Sequence, residues 1–248
     1  MRAWQEMAQR AGQGDSKEVR GLILYLVCLA EGLYWDKDEE AAKALHRLLI
    51  GMEGRGLDIL SWLQMRAEAE DNNSETQESC LALALIYGYG LLGILDLKEA
   101  KSCLDKITDS SLFGPVYYFY AVFLELEPDS TYHEILQNYQ ESLKYWDSPQ
   151  VQYRLAKYLF HNLQSDEDLN ECLNYAHQAA VHGHAKACEL LGGLYEEAGE
   201  IVSAWAWYWI AIQKGNESVR ELWLSLEDRL SSEQRVHAKL LVEEFLST

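Results

Sequence analysis

Three histidines, His177, His182 and His184, fall within the eight-residue stretch HQAAVHGH. Imidazoles are common metal ligands and the usual proton carriers near neutral pH. A zinc site needs donors converging at about 2 Å, typically an i, i+4 pair or a distant carboxylate. The spacings here, 5 and 2, run across a predicted helix end and turn at Gly183. They fit a surface turn near a helix C-terminus, where positive charge is favoured. The carboxylate runs Asp36-x-Asp38-Glu39-Glu40 and Asp166-Glu167-Asp168 read as helix starts, which attract anions, rather than as acid/base pairs. Gly88-x-Gly90-x-x-Gly93 has the outline of a phosphate-cradling loop but follows no predicted strand and precedes no Gly-Lys-Ser/Thr, so it reads as an inter-helix turn. No G-x-S-x-G, H-E-x-x-H or Cys/His nucleophile signature occurs. The expectation is a chain that is not an enzyme, with no catalytic residue, no metal ligand and no cofactor.

Cys28, Cys80, Cys103, Cys172 and Cys188 are odd in number, with separations of 52, 23, 69 and 16. Neither a zinc site nor a disulfide framework has that spacing, and buried thiols suit a reducing compartment. The run Leu22–Ala30 follows a charged amphipathic stretch and makes no convincing secretion signal. The longest uncharged run, Ser79 to Leu95, contains three glycines and reads as a buried helix plus turn rather than a membrane span. A cytoplasmic location is the expectation.

Charge narrows the partner classes. The chain of 248 residues carries 21 basic and 40 acidic side chains, a net of −19. Nucleic-acid backbones and anionic membranes need a positive surface, so neither is expected as a partner. Residues 1–56 hold 8 basic and 9 acidic side chains and residues 57–248 hold 13 and 31, which puts the negative field in the middle and C-terminal parts.

The positioning elements are helices. Only three prolines interrupt the chain, at 115, 128 and 149. Ser74-x-x-Gln77, Thr131-x-x-Glu134 and Ser231-x-x-Gln234 have the form of capping boxes, and Ser148-Pro149 places a cap residue before a proline at the first helical position. Gly183 and Gly215 close helices. No strand alternation competes. The fold class predicted is all-α.

A repeat runs through these helices. Leu191-Gly192-x-x-Tyr195 is followed by Ala204, Tyr208, Ala211 and Gly215. Small residues at 192, 204 and 211 allow two helices to approach, and Leu191, Tyr195, Trp207 and Tyr208 fill the space between them. Degraded copies begin at Leu83-Ala84, Tyr120-Ala121 and Leu155-Ala156; the starts at 83, 120, 155 and 191 lie 37, 35 and 36 apart. Trp4, Ala8 and Gly12 mirror Trp207, Ala211 and Gly215. Residues 17–56 hold a further helix pair, and the extra residues at about 56–74 suggest an additional helix.

This pattern resembles the Sel-one-like repeat family, a branch of the tetratricopeptide-like αα solenoids. The resemblance implies a right-handed superhelix of αα hairpins with roughly 12–14 helices. It divides into divergent N-terminal helices (1–74), repeats (75–216) and capping helices (217–248). A branch of that family has cysteines paired within each repeat; this chain lacks the pairing, so the enzymatic activity proposed for that branch is not carried over. In tetratricopeptide-like arrays the first helix of each pair lines the concave face, with ligand-facing residues at fixed offsets. Those offsets select Leu81, Leu85 and Tyr89; Tyr118, Val122 and Glu125; Tyr153, Lys157 and His161; and Lys186, Glu189, Glu196 and Glu197. Tyrosines among carboxylates suit protein recognition, because aromatic anchors supply area and acids supply steering. The function expected is non-catalytic binding of a basic protein on the concave face by a monomer or weak dimer. Its most specific form is an inhibitor or immunity-type protein that neutralises a bacterial toxin or effector. The alternative is an adaptor that scaffolds a signalling or envelope complex.

Overall fold

The computed structural model describes residues 10, 11, 13, 16–31, 39–53, 58–71 and 73–246. Among them stand thirteen α-helices and no strand, an all-α helical-repeat fold of the solenoid class. Trp4, Ala8, Gly12, Asp36 and Asp38, and the side chains of Glu39 and Glu40, lie outside the described residues. Two compact units meet in sequence between Trp146 and Asp147.

The first unit contains α1 (Ser16–Glu31), α2 (Glu39–Glu53), α3 (Ile59–Ala67), α4 (Ser74–Tyr89), α5 (Leu97–Asp105), α6 (Phe113–Glu125) and α7 (Tyr132–Tyr145). Helices α1 and α2 form the expected early pair, and α3 is the additional helix suggested by the surplus length. Helix α4 is the hub. It packs against α1, α3 and α5, and Phe123 of α6 presses on it where Gly88 leaves room. A helix enclosed on all sides has no polar stripe to present, and twelve consecutive or near-consecutive residues from Thr76 to Gly88 are buried. Its start corrects the expected cap. Asn73, one residue before Ser74, accepts from Thr76 N at 3.0 Å. Gln77 turns away from the helix start, and its side-chain oxygen takes Thr108 N at 2.7 Å and Asp109 N at 3.2 Å. An asparagine caps as well as a serine, and the buried glutamine is committed to the loop before α6. The chain leaves α4 at Gly90 with φ 63, a left-handed turn, as expected of an inter-helix connection. Thr131 and Glu134 form the full reciprocal capping box that starts α7.

Helix α1 is pinned to the hub by a buried guanidinium. Arg20, 4% exposed, reaches Glu75 at 2.9 Å and Glu78 at 3.3 Å and lies 5.5 Å from the Trp62 ring centroid. The aromatic run of α6 sorts by face: Tyr118, Phe119 and Phe123 are buried, while Tyr117 stacks at 6.0 Å on Tyr145.

The second unit contains α8 (Pro149–His161), α9 (Asp166–Val181), α10 (Ala185–Glu197), α11 (Ile201–Gln213), α12 (Arg220–Glu227) and α13 (Ser232–Leu246). Pro149 opens α8 at the first helical position, where a missing N–H costs nothing. Ser165 caps α9, whose first turn carries Asp166, Glu167 and Asp168 as expected. Gly183 and Gly215 have φ 85 and 96, conformations that strain any residue with a Cβ. Helices α10 and α11 close on each other at Gly192, where an added Cβ would lie 2.5 Å from Tyr208 Cδ1. Ser231 and Gln234 exchange the two bonds of a capping box before α13.

Candidate functional site

The residues selected by the first-helix offsets divide by burial. In the first unit, Leu81, Leu85, Tyr118 and Val122 are core residues, Tyr118 with no exposed surface at all. Tyr118 packs on Tyr139 and Trp146 of the same unit, at 6.1 and 6.3 Å between centroids. This corrects the placement of Tyr118 and Val122 on an open face: the hub helix is covered by extra helices, and the aromatic α6 spends these positions on packing. Tyr89 is half-buried, edge-on to Phe119 and Phe123 at 6.3 and 5.8 Å. Glu125 accepts the hydroxyl hydrogen of Tyr139, so its carboxylate is tied to α7.

In the second unit the same offsets reach solvent. Lys157, His161, Lys186 and Glu197 are exposed, and Tyr153, Glu189 and Glu196 are half-buried. Tyr153 stacks on the His184 ring, 4.4 Å between centroids at 27°. Burial, with Glu189 nearby, pushes the Tyr153 phenol up, so it stays a neutral donor. His184 is the N-cap of α10: its Nδ1 accepts from Ala187 N at 3.2 Å, which leaves Nε2–H to donate to Gln150 Oε1 at 2.6 Å. His182 pairs with Gln152 at 3.4 Å, and His177 lies 3.3 Å from the Tyr195 hydroxyl and 5.1 Å from the Trp207 ring. The three histidines thus serve three different local jobs. Among the described residues no group of three or more His, Cys, Asp or Glu side chains is arranged to hold a metal ion.

Two carboxylates of this face, Glu189 and Glu196, are anchored. Glu189 accepts from Asn216 Nδ2 at 2.6 Å, and Glu196 accepts from the Tyr208 hydroxyl at 3.0 Å and lies 3.7 Å from Arg229. Held acids lose little side-chain freedom when they meet a cation, which favours recognition. Desolvation and the neighbouring Glu196 both push the Tyr208 phenol up, so it keeps its proton and goes on donating.

A second feature was outside the sequence expectation. Trp205 and Trp209 of α11 and Trp223 of α12 form a contacting cluster beside a cavity of about 410 Å³. Trp205 Nε1 donates to Glu227 at 2.6 Å, whereas the Trp223 Nε1–H is buried with no acceptor among the described residues. The i, i+4 spacing of Trp205 and Trp209 is visible in the sequence, but the contribution of Trp223, fourteen residues beyond, depends on how α12 folds back.

Among the described residues no helix is long and apolar enough to cross a membrane. No family model matches the chain, and no curated protein matches it. Its structure is similar to the crystal structure of c5321, a protective antigen present in uropathogenic Escherichia coli strains displaying an SLR fold. The TM-score is 0.58 at 18% identity, over 98% of this chain and 56% of that one. The chain therefore has the Sel-one-like repeat fold and spans little more than half the length of that relative in structure.

Proposed function

We propose that this chain is a non-catalytic protein-interaction scaffold that receives a basic protein partner on the exposed first-helix face of residues 147–248. The observation that carries the reading is the acidic and aromatic set there: Tyr153, Glu189, Glu196 and Glu197. Glu189 is held by Asn216, Glu196 by Tyr208 and Arg229, and Tyr153 by His184, while Glu197 stands exposed beside them. Helical-repeat folds suit this use, because stacked helix pairs supply extended surfaces. Carboxylates on a chain of net charge −19 steer a basic partner and raise its rate of encounter. In its most specific form the partner is a bacterial toxin or effector, and this chain neutralises it by occlusion.

The test is affinity capture of partners from native lysate of the source organism at low and at high salt, with mass spectrometry of what is retained. The expected result is one dominant basic protein at near-stoichiometric yield, lost at high salt and toxic when expressed alone. Several sub-stoichiometric partners from one pathway would replace the inhibitor with an adaptor. Retention of only acidic or neutral proteins would overturn the basic-partner reading.

A further inference from the structure

The cavity of about 410 Å³ in the second unit has walls of a particular chemistry. Trp205, Trp209 and Trp223 supply one side, their centroids 4.7 to 6.2 Å apart and their planes inclined by 19° to 44°. Glu227 of α12 and Glu243 of α13 supply carboxylates, and Val242 closes the apolar side. Glu227 is fixed by the Trp205 indole at one oxygen and faces Arg235 at 3.6 Å with the other. Lys239, exposed and one turn before Glu243 on α13, is the cation lining the cavity.

Indole faces carry negative potential, and tryptophan is the best aromatic partner for a cation. Glu227 and Glu243 place carboxylates in the same lining, set against the Lys239 ammonium and the Arg235 guanidinium 3.6 Å from Glu227. The volume lies at the small end of ligand sites, right for a head group or one long side chain and too small for a folded element. The geometry points to a site for an organic cation: the ammonium or guanidinium head of a lysine or arginine side chain from a basic protein partner, laid on the indole faces and countered by Glu227 and Glu243. This rests on the proposed reading and names the chemistry by which such a partner is gripped.

The experiment is a titration of the full chain, followed by intrinsic tryptophan fluorescence at constant ionic strength. The probes are N-acetyl-arginine amide, tetramethylammonium chloride, the neutral analogue N-acetyl-norleucine amide, and glucose. Saturable responses are expected with the two cations and not with the neutral probes. Glu243→Gln, an exposed change that leaves the fold intact, is expected to weaken cation binding about fivefold, and Trp209→Leu to abolish it. Equal binding of the norleucine amide would make the cavity an apolar site, and binding of glucose alone would make it a sugar site; either overturns the inference. So does cation binding unaffected by both variants. The titration needs no partner, which separates the two readings. Failure of the cations while a basic partner is still captured removes the pocket alone. Cation binding without any basic partner removes the scaffold reading and, with it, the assignment of the cation to a partner's side chain.

Discussion

Adding one methyl group at Gly192 tests whether the Leu-Gly pair of the repeat is there for packing. The Cβ of an alanine would lie 2.5, 2.6 and 3.0 Å from Tyr208 Cδ1, Cε1 and Cγ. That ring is buried and cannot swing away freely, because its hydroxyl is bonded to Glu196 at the far end. Overpacking of this kind costs about 1–3 kcal/mol. Against it stands the helix propensity of alanine over glycine, worth about 1 kcal/mol in mid-helix. The expected net effect of Gly192→Ala is a loss of about 1 kcal/mol, a fall in melting temperature of roughly 2–4 °C for a chain of this size. The diagnostic is a change of sign. In a Tyr208→Leu background the obstructing ring is gone and only the propensity gain remains, so Gly192→Ala should then raise stability by up to about 1 kcal/mol. The assay is thermal and urea unfolding of the four proteins, each first checked for native helicity by circular dichroism. Stabilisation by Gly192→Ala in the parent, or an equal loss in both backgrounds, would refute the idea that Tyr208 is what requires the glycine.

Three further outcomes follow from the structure. All five cysteines are buried, and burial pushes the thiols of Cys103 and Cys188 up to about 12 and that of Cys172 to about 11. Iodoacetamide at pH 8 should therefore leave the native chain unlabelled and modify all five only in denaturant; rapid native labelling would contradict the burial. Burial holds His177 below the ordinary imidazole value, so the unfolded chain takes up a proton first as pH falls. Stability from this group is present above about pH 6.5 and is lost as pH drops through the folded value. The melting temperature of His177→Gln should accordingly change less between pH 7.5 and 5.5 than that of the parent. Finally, Trp223→Phe removes an indole N–H that has no acceptor among the described residues and is expected to be close to neutral. Trp205→Phe takes a donor from Glu227 and should cost about 1–3 kcal/mol more, as urea unfolding would show.

How much of this was legible depends on the range of the interaction that decides it. Helix type and most boundaries follow from periodicity and from caps a few residues away, which is why Thr131-x-x-Glu134, Ser231-x-x-Gln234, Pro149, Gly183 and Gly215 read correctly. The Asn73 cap was hidden because Ser74 offers the same chemistry one residue later, and only the pull of Thr108 and Asp109 on Gln77 decides between the two. The repeat register was legible through small residues where helices touch: Gly192 against Tyr208, and Ala156, whose carbonyl takes the Cys172 thiol at 3.2 Å. Burial of the offset positions was not legible. Nothing within the repeat at Leu83 reports that α1 and α3, encoded upstream, close over the same helix. The Trp223 wall of the cavity was invisible for the same reason.

That difference between the units has a functional consequence that can be separated from stability. Tyr118 and Tyr153 occupy the same offset in their repeats, yet Tyr118 is wholly enclosed and Tyr153 is only partly buried and stacked on His184. Truncating Tyr118 leaves a cavity in a packed core and should cost about 3–5 kcal/mol, as with other buried aromatics. If the chain still folds, its partner-facing surface is unchanged. Truncating Tyr153 removes less buried area but strips an aromatic anchor from the proposed surface, where such anchors commonly account for 2 kcal/mol or more of binding, about thirtyfold in affinity. Tyr153→Ala and the charge reversal Glu197→Lys should therefore weaken capture of the basic partner with only a small shift in melting temperature. A gentler core change, Tyr118→Phe, should leave capture intact. If capture instead followed Tyr118 and ignored Tyr153 and Glu197, the partner would have to be held by the first unit, and the surface proposed on residues 147–248 would be the wrong one.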